Sequence, residues 1–485
     1  MKSMMSGKTR GDRAGVLLLL ASSAGAALLL SGCGAPAKVT SAPAAAAKGA
    51  VQGGQQPVAG VTLQLYTANT SILGPTGYGS LANPFGPQPT ATTNQNGGFN
   101  FPSLPACPSS NSEVFLVGTG GTPSTGQANP NLAMMVGLGP CQALVNAIAV
   151  PTYHVVMNEL TTVATVWSLS PFMSGPTIAS PGCTAFTCIS APSTNTTGLA
   201  NAFASINEIV NTATGTVYNQ TTSQFTGPAL APGASFNYQE INSLANILQY
   251  CINSVRSVPT TVSTECRTLF TDTATSTTPT DTITAALNIA QHPSVNAGTL
   301  YGLPIPNEQT FLPHLTASPT DWTVAINYTG GALSSSAPQS IAVDGNGNVW
   351  VTNKPASGTG SVIELAINNA ATTTPLYTPT TFTASGNLNA PYGIAIDQNG
   401  YPFVTNSVGN TITKLNLDGS FNTQISDPGL NTPEGIAIDG AGNVWAVNNG
   451  NSTISGFSNT GTKLTGTPIS STQLNGPASI AVNPK

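Results

Sequence analysis

IAVDGNGNVWVTN, residues 341–353, returns as IAIDQNGYPFVTN at 394–406 and as IAIDGAGNVWAVN at 436–448, and it starts once more as IAVNPK at 480–485. Each copy follows a proline (Pro338, Pro391, Pro433 and Pro477), at intervals of 53, 42 and 44 residues. Two alternating apolar runs flank a short polar stretch, the pattern of a two-stranded hairpin. The polar stretch invites a rival reading as a calcium loop. Such a loop needs oxygens at its first, third and fifth positions and a bidentate glutamate at the twelfth. In the first copy the twelfth position is Pro355; the second copy has Tyr401 at the fifth, and the third has Ala441 at the third. Only an aspartate and a glycine persist: Asp344 and Gly347, Asp397 and Gly400, Asp439 and Gly442. Asp accepts backbone N–H groups two residues on, and Gly takes positive φ without a steric cost. The corner is therefore read as structural, with no metal.

Repeats of about 40–50 residues are the period of propeller blades. The second and third copies continue as SVGNTITKLNLDGS (407–420) and NGNSTISGFSNTGT (449–462), each a turn, an alternating strand and another turn. Together these residues resemble NHL-type and streptogramin-lyase-type β-propeller repeats, over residues 320–485. Trp350, Phe403 and Trp445 share one repeat position and are read first as packing between blades. Three copies and an opening strand make an incomplete ring. The chain is then a truncated product, or a partner chain completes the ring, or strands within 311–328 close a small one. The resemblance implies a lyase, which would use a histidine general base and an acidic, magnesium-binding face. The three histidines, His154, His292 and His314, all precede the repeats. No repeat position carries over as a base titrating near neutrality, so a streptogramin-lyase-like or lactonase-like activity is not expected.

Four of the 12 Lys and Arg residues (Lys2, Lys8, Arg10, Arg13) precede the uncharged run AGVLLLLASSAGAALLL (14–30). A basic start, an apolar run and small residues describe an export signal, over 1–32. Leu30-Ser31-Gly32-Cys33 resembles the bacterial lipobox, which implies a lipid, palmitate included, on Cys33. Gly34 after it favours the outer membrane. Residues 33–50 are Pro/Ala-rich and read as a flexible tether.

Only 6% of the chain is charged and the net charge is −5. Without clustered cations, nucleic-acid binding is excluded as a role. Six further cysteines (Cys107, Cys141, Cys183, Cys188, Cys251 and Cys266) are an even set, read as disulfides in an exported chain. Their neighbours in sequence suggest Cys107–Cys141, Cys183–Cys188 and Cys251–Cys266.

Residues 51–152 alternate as strands in VTLQLY (61–66), GGFNFPSL (97–104) and EVFLVGTG (113–120). They resemble the β-sandwich of carboxypeptidase-regulatory-like domains, which implies a spacer or contact module. Residues 153–305 change period. Helices are expected over 158–169, 198–210, 281–291 and the stretch NYQEINSLANILQYCINSV, where Asn237 and Glu240 form a capping box. The expected fold is multi-domain and mainly β: a sandwich, a disulfide-braced helical middle domain and a partial propeller. The expected role is non-enzymatic binding or scaffolding at the cell envelope, with no cofactor. The membrane is reached through the lipid anchor, and the ligand is an envelope protein or glycan.

Overall fold

The structure is a computed structural model. It describes residues 47–483 apart from 71–82, 85–89, 102–103, 105, 124–126, 151, 175–187, 219–233, 255–260, 305–307, 329–332, 334–336, 356–358 and 368–376. The export signal, Cys33 and Cys183 lie outside the described residues.

The end of the expected tether is already folded. Strand Ala47–Gly53 buries Ala47, Gly49, Val51 and Gly53 on one face. Small residues are required there, because a Cβ on Gly49 would collide with the Val155 carbonyl and the Phe99 ring. This strand pairs antiparallel with Gly98–Phe101 and parallel with Val155–Met157. A second sheet runs Asn83–Pro84, Thr62–Thr67, Glu113–Thr119, Ala133–Pro140, with Thr90–Thr92 also paired to Thr62–Thr67.

Helices cover this second sheet. Helix Glu159–Leu169 is rich in threonine yet buries nine of its eleven residues. Its hydroxyls make that burial affordable: Thr162 Oγ1 accepts from Met135 N–H at 3.1 Å and Thr165 Oγ1 from Gly137 N–H at 3.0 Å. Buried polar groups cost little once they are hydrogen-bonded. Asn158 caps the helix by accepting from Thr161 N–H. Helices Thr196–Ile209, Tyr238–Ile252 and Thr282–Gln291 occupy the remaining expected stretches. Asn237 accepts from Glu240 N–H, the first half of the expected capping box. Helices Cys141–Ile148, Thr264–Asp272 and Ala297–Tyr301 were not expected.

The sandwich and the helices do not divide near residue 152. One hydrophobic core runs from Ala47 through Met135, Val163, Phe203 and Leu248 to Trp322. The Gly49–Val155 pairing crosses the expected boundary. Two disulfides, Cys107–Cys141 and Cys251–Cys266, brace this body. Cys188 is also disulfide-bonded.

Strand Ile326–Tyr328 pairs with Ala234–Phe236. It joins the two parts of the chain rather than closing a ring, which corrects the reading of 311–328 as closing strands. Beyond it come three four-stranded antiparallel sheets, each in sequence order. The first comprises Pro338–Val343, Val349–Asn353, Ser361–Ile367 and Tyr377–Phe382. The second comprises Pro391–Ile396, Pro402–Asn406, Thr411–Leu415 and Phe421–Ser426. The third comprises Pro433–Ile438, Val444–Asn448, Thr453–Phe457 and Ile469–Ser470. Their first strands pack side by side, the arrangement of consecutive propeller blades. Among the described residues no helix is long and apolar enough to cross a membrane.

Candidate functional site

Each blade has two ends. At one end lie the aspartate corners. Asp344 Oδ1 accepts from Asn346 and Asn348 N–H, and its Oδ2 from the Asn348 amide and the Trp350 indole at 3.2 Å. Asp439 repeats this set with Ala441, Asn443 and Trp445, whose indole lies at 2.9 Å. The second blade has Phe403, which carries no N–H. There Asp397 Oδ1 accepts from Asn399 and Tyr401, and Oδ2 takes an amide from Asn459 of the next blade at 3.1 Å. Gly347, Gly400 and Gly442 have φ of 91°, 88° and 82°. All six carboxylate oxygens thus face N–H donors, an arrangement that suits a turn. Burial pushes the Asp439 carboxyl up, but its indole, amide and backbone donors outweigh that and hold it below the ordinary value. Among the described residues no group of three or more His, Cys, Asp or Glu is placed to hold a metal ion.

Of the aromatics at that repeat position, Trp350 clusters with Ile394 and Val404 of the second blade and Phe403 with Ile436 and Ala446 of the third, whereas Trp445 is half-buried. Trp350 and Phe403 are fully buried, Trp350 stacking on Phe382 with centroids 5.8 Å apart.

The opposite end is a loop face. The turns 407–410 and 449–452 lie against the connections that precede the next first strands: Ser407 N–H donates to Ala390 O, Gly409 N–H to Asn389 O and Asn449 N–H to Thr432 O. Four non-glycine residues there are left-handed: Ala390, Asn410, Thr432 and Ser452, with φ of 54°, 52°, 49° and 53°. Such conformations cost about 1–3 kcal/mol each and persist only where the surroundings enforce them. The rim is amide-rich, with Asn389, Asn410, Asn431 and Asn451 exposed. Tyr392 is half-buried on the second blade's first strand with Lys354 Nζ 5.3 Å from its ring centroid, and Val408 is 64% exposed. Lys354 and Glu434 carry charge on this surface, with Glu434 facing the Asn449 amide, and Asp427 beside it is paired with Lys463 at 2.9 Å.

Two recurrent side chains that the sequence reading passed over build this face. Asn353, Asn406 and Asn448 end the second strands. Each accepts from a backbone N–H of the preceding connection and donates to hydroxyls of the third strand. Thr352 and Thr405 each accept from an N–H of their own first strand and donate to a carbonyl of the next blade. Their identical place in the copies was the available signal.

Elsewhere, a cleft of about 680 Å³ lies in the helical part, lined by Ser243, Asn246, Tyr301, Leu312 and His314. Its polar groups are committed to the backbone of 311–315: Asn246 to Phe311, Ser243 to Leu315 and His314 Nδ1 to Leu315 O.

No protein-family model matches the sequence, and no curated protein matches it. Solved structures similar to it include virginiamycin B lyase from Staphylococcus aureus (19% identity, 30% of this chain and 46% of that one, TM-score 0.24). A streptogramin B lyase structure (21%, 28% and 42%, TM-score 0.23) and a putative gluconolactonase (18%, 26% and 46%, TM-score 0.21) are others. The chain spans under half the length of each, and the blade architecture stands on its own strand ladders.

Proposed function

We propose that this protein is an exported, envelope-anchored and non-enzymatic binding protein whose blade loop face holds a neutral glycan. The observation that carries the reading is the pairing of enforced left-handed backbone with an amide-rich rim on a face that also bears Tyr392. Amides supply both donors and acceptors, as sugar hydroxyls require, and a tyrosine ring offers an apolar face beside them. Acid–base catalysis on this face has less support, because no histidine lies in the repeats. The lipobox-like Cys33 and the disulfides support export, since disulfides persist in oxidising compartments.

A glycan array probed with the purified protein, followed by titration of any hit against Tyr392→Ala, tests the reading. Saturable binding that weakens about tenfold or more in the variant supports it. Absence of any glycan hit, or capture of a protein ligand in its place, sinks it. Release of the protein from membranes by Cys33→Ser is the matching outcome for the anchor.

A further inference from the structure

The cleft of about 680 Å³ beside helix Tyr238–Ile252 has no Asp, Glu, Lys or Arg among the described residues that line it. Most of its polar side chains spend their polar atoms on the main chain. Asn246 brackets Phe311, donating to its carbonyl and accepting from its N–H, and Ser243 accepts from Leu315 N–H. The Leu315 carbonyl accepts from the Tyr301 hydroxyl at 3.0 Å and from His314 Nδ1–H at 2.7 Å. With those atoms engaged the lining offers mainly carbon: Ile247, Pro304, the Tyr301 and His314 rings, and Leu312, which is 65% exposed.

Trp322, in the same wall, departs from this rule. Of the four tryptophans, Trp167 donates its indole N–H to the Trp322 carbonyl, Trp350 to Asp344 and Trp445 to Asp439. Trp322 is fully buried, and its indole N–H has no acceptor. Its main chain is held at both groups, by Pro293 O at 3.0 Å and by the Trp167 indole at 2.9 Å. A donor buried without a partner is rare and costly. Gln309 lines the cleft as well, and either end of its amide can serve a ligand.

We propose that this cleft binds an uncharged, largely apolar small molecule whose carbonyl or ether oxygen accepts the Trp322 N–H. Small-molecule sites have volumes of about 300–1,000 Å³ and apolar walls with a few placed polar groups. Carboxyl groups stand nearby: Asp321 adjoins Trp322, and Glu240, one helical turn before Ser243, is pushed up to about 7 by burial and by Asp321. An anionic ligand is therefore disfavoured. A sugar, with its many hydroxyls, is served poorly here, so this site is separate from the blade loop face.

Fluorescence titration of the purified full chain with Nile red, a neutral dye bearing one ring carbonyl, tests this. Saturable binding of one dye per chain is expected, with emission shifted to the blue. Leu312→Glu charges an exposed lining position and should weaken it about tenfold or more with the circular dichroism unchanged. Trp322→Phe should weaken Nile red about three- to tenfold and leave diphenylhexatriene, which has no acceptor, unchanged. Ile341→Glu, on the exposed first strand of the first blade, should leave Nile red binding as it was. Anilinonaphthalenesulfonate, an anionic dye, should bind more weakly. The proposal is overturned by absence of saturable Nile red binding, by binding indifferent to Leu312→Glu, by its loss in Ile341→Glu, or by anionic dye bound as tightly. Equal weakening of both neutral dyes in Trp322→Phe, or weakening of neither, overturns it as well.

Discussion

Thr405 of the second blade donates its hydroxyl hydrogen to the Glu434 carbonyl of the third, while accepting from Gly393 N–H of its own first strand at 2.8 Å. The hydroxyl sits where the ladder between Pro391 and Ile394 slips register, so it repairs the bulge and joins two sheets at once. Thr352 does the same at the preceding junction. Thr405→Val keeps the shape, and Val447 already fills the equivalent place in blade three. Removing the hydroxyl strands a buried N–H and a carbonyl, so a loss of about 1–3 kcal/mol is expected in urea unfolding.

The two isoleucines that open blades one and two should respond differently to truncation. Ile394→Ala empties a packed junction and is expected to cost about 2–5 kcal/mol. Ile341→Ala removes a side chain that is 64% exposed and is expected to stay within about 0.5 kcal/mol. Paired thermal melts decide it, and equal costs would mean that the first blade is covered in solution.

Trp445→Phe deletes an indole donor to Asp439 Oδ2 and leaves a ring of similar width. A loss of about 1 kcal/mol is expected, modest because the pair is partly solvated. The Asp439 carboxyl, held down in the native protein, should move back toward its ordinary value in a carbon-detected NMR titration. A group depressed on folding stabilises above its unfolded pKa and ceases to do so as pH falls through the folded one. The variant should therefore lose less stability than the parent on acidification.

Glu159 and Glu113 act with the opposite sign. Burial pushes each up to about 8, although Gly54 N–H donates to Glu159 Oε1 at 2.8 Å. Between the ordinary carboxylate value of 4.5 and about 8 the folded chain keeps protons that the unfolded chain has released. Stability must fall as pH rises through that window. Glu159→Gln retains an acceptor for Gly54 without the charge, so chemical unfolding at about pH 5 and about pH 9 should show a shallower decline.

The blades were legible because a copied unit repeats its hairpin pattern, and the Asp–Gly corners stand out where three copies are aligned. The junction residues were not. Thr405 and Asn406 sit at the end of an alternating strand, where hydroxyl and amide side chains read as turn residues. Only the neighbouring blade shows that Thr405 faces Glu434. The union of the sandwich and helical stretches was equally hidden. It rests on Gly49 pairing with Val155 across more than a hundred residues, and on threonines that enter a core by capping strand N–H groups. Hydrophobic period alone assigns such a helix a wet face it does not have. The left-handed residues Ala390 and Thr432 of the loop face carry no sequence mark.

The bare α-carbon at Gly393 lets the second sheet touch the third at the Glu434 carbonyl, and that at Gly435 leaves the same room for the backbone of 478–480. A methyl group at either position would meet backbone rather than the end of a flexible side chain, so it could not be accommodated by a rotamer change. Alanine at Gly393 or Gly435 should therefore push the neighbouring backbone outward and splay the second and third blades from what lies beside them.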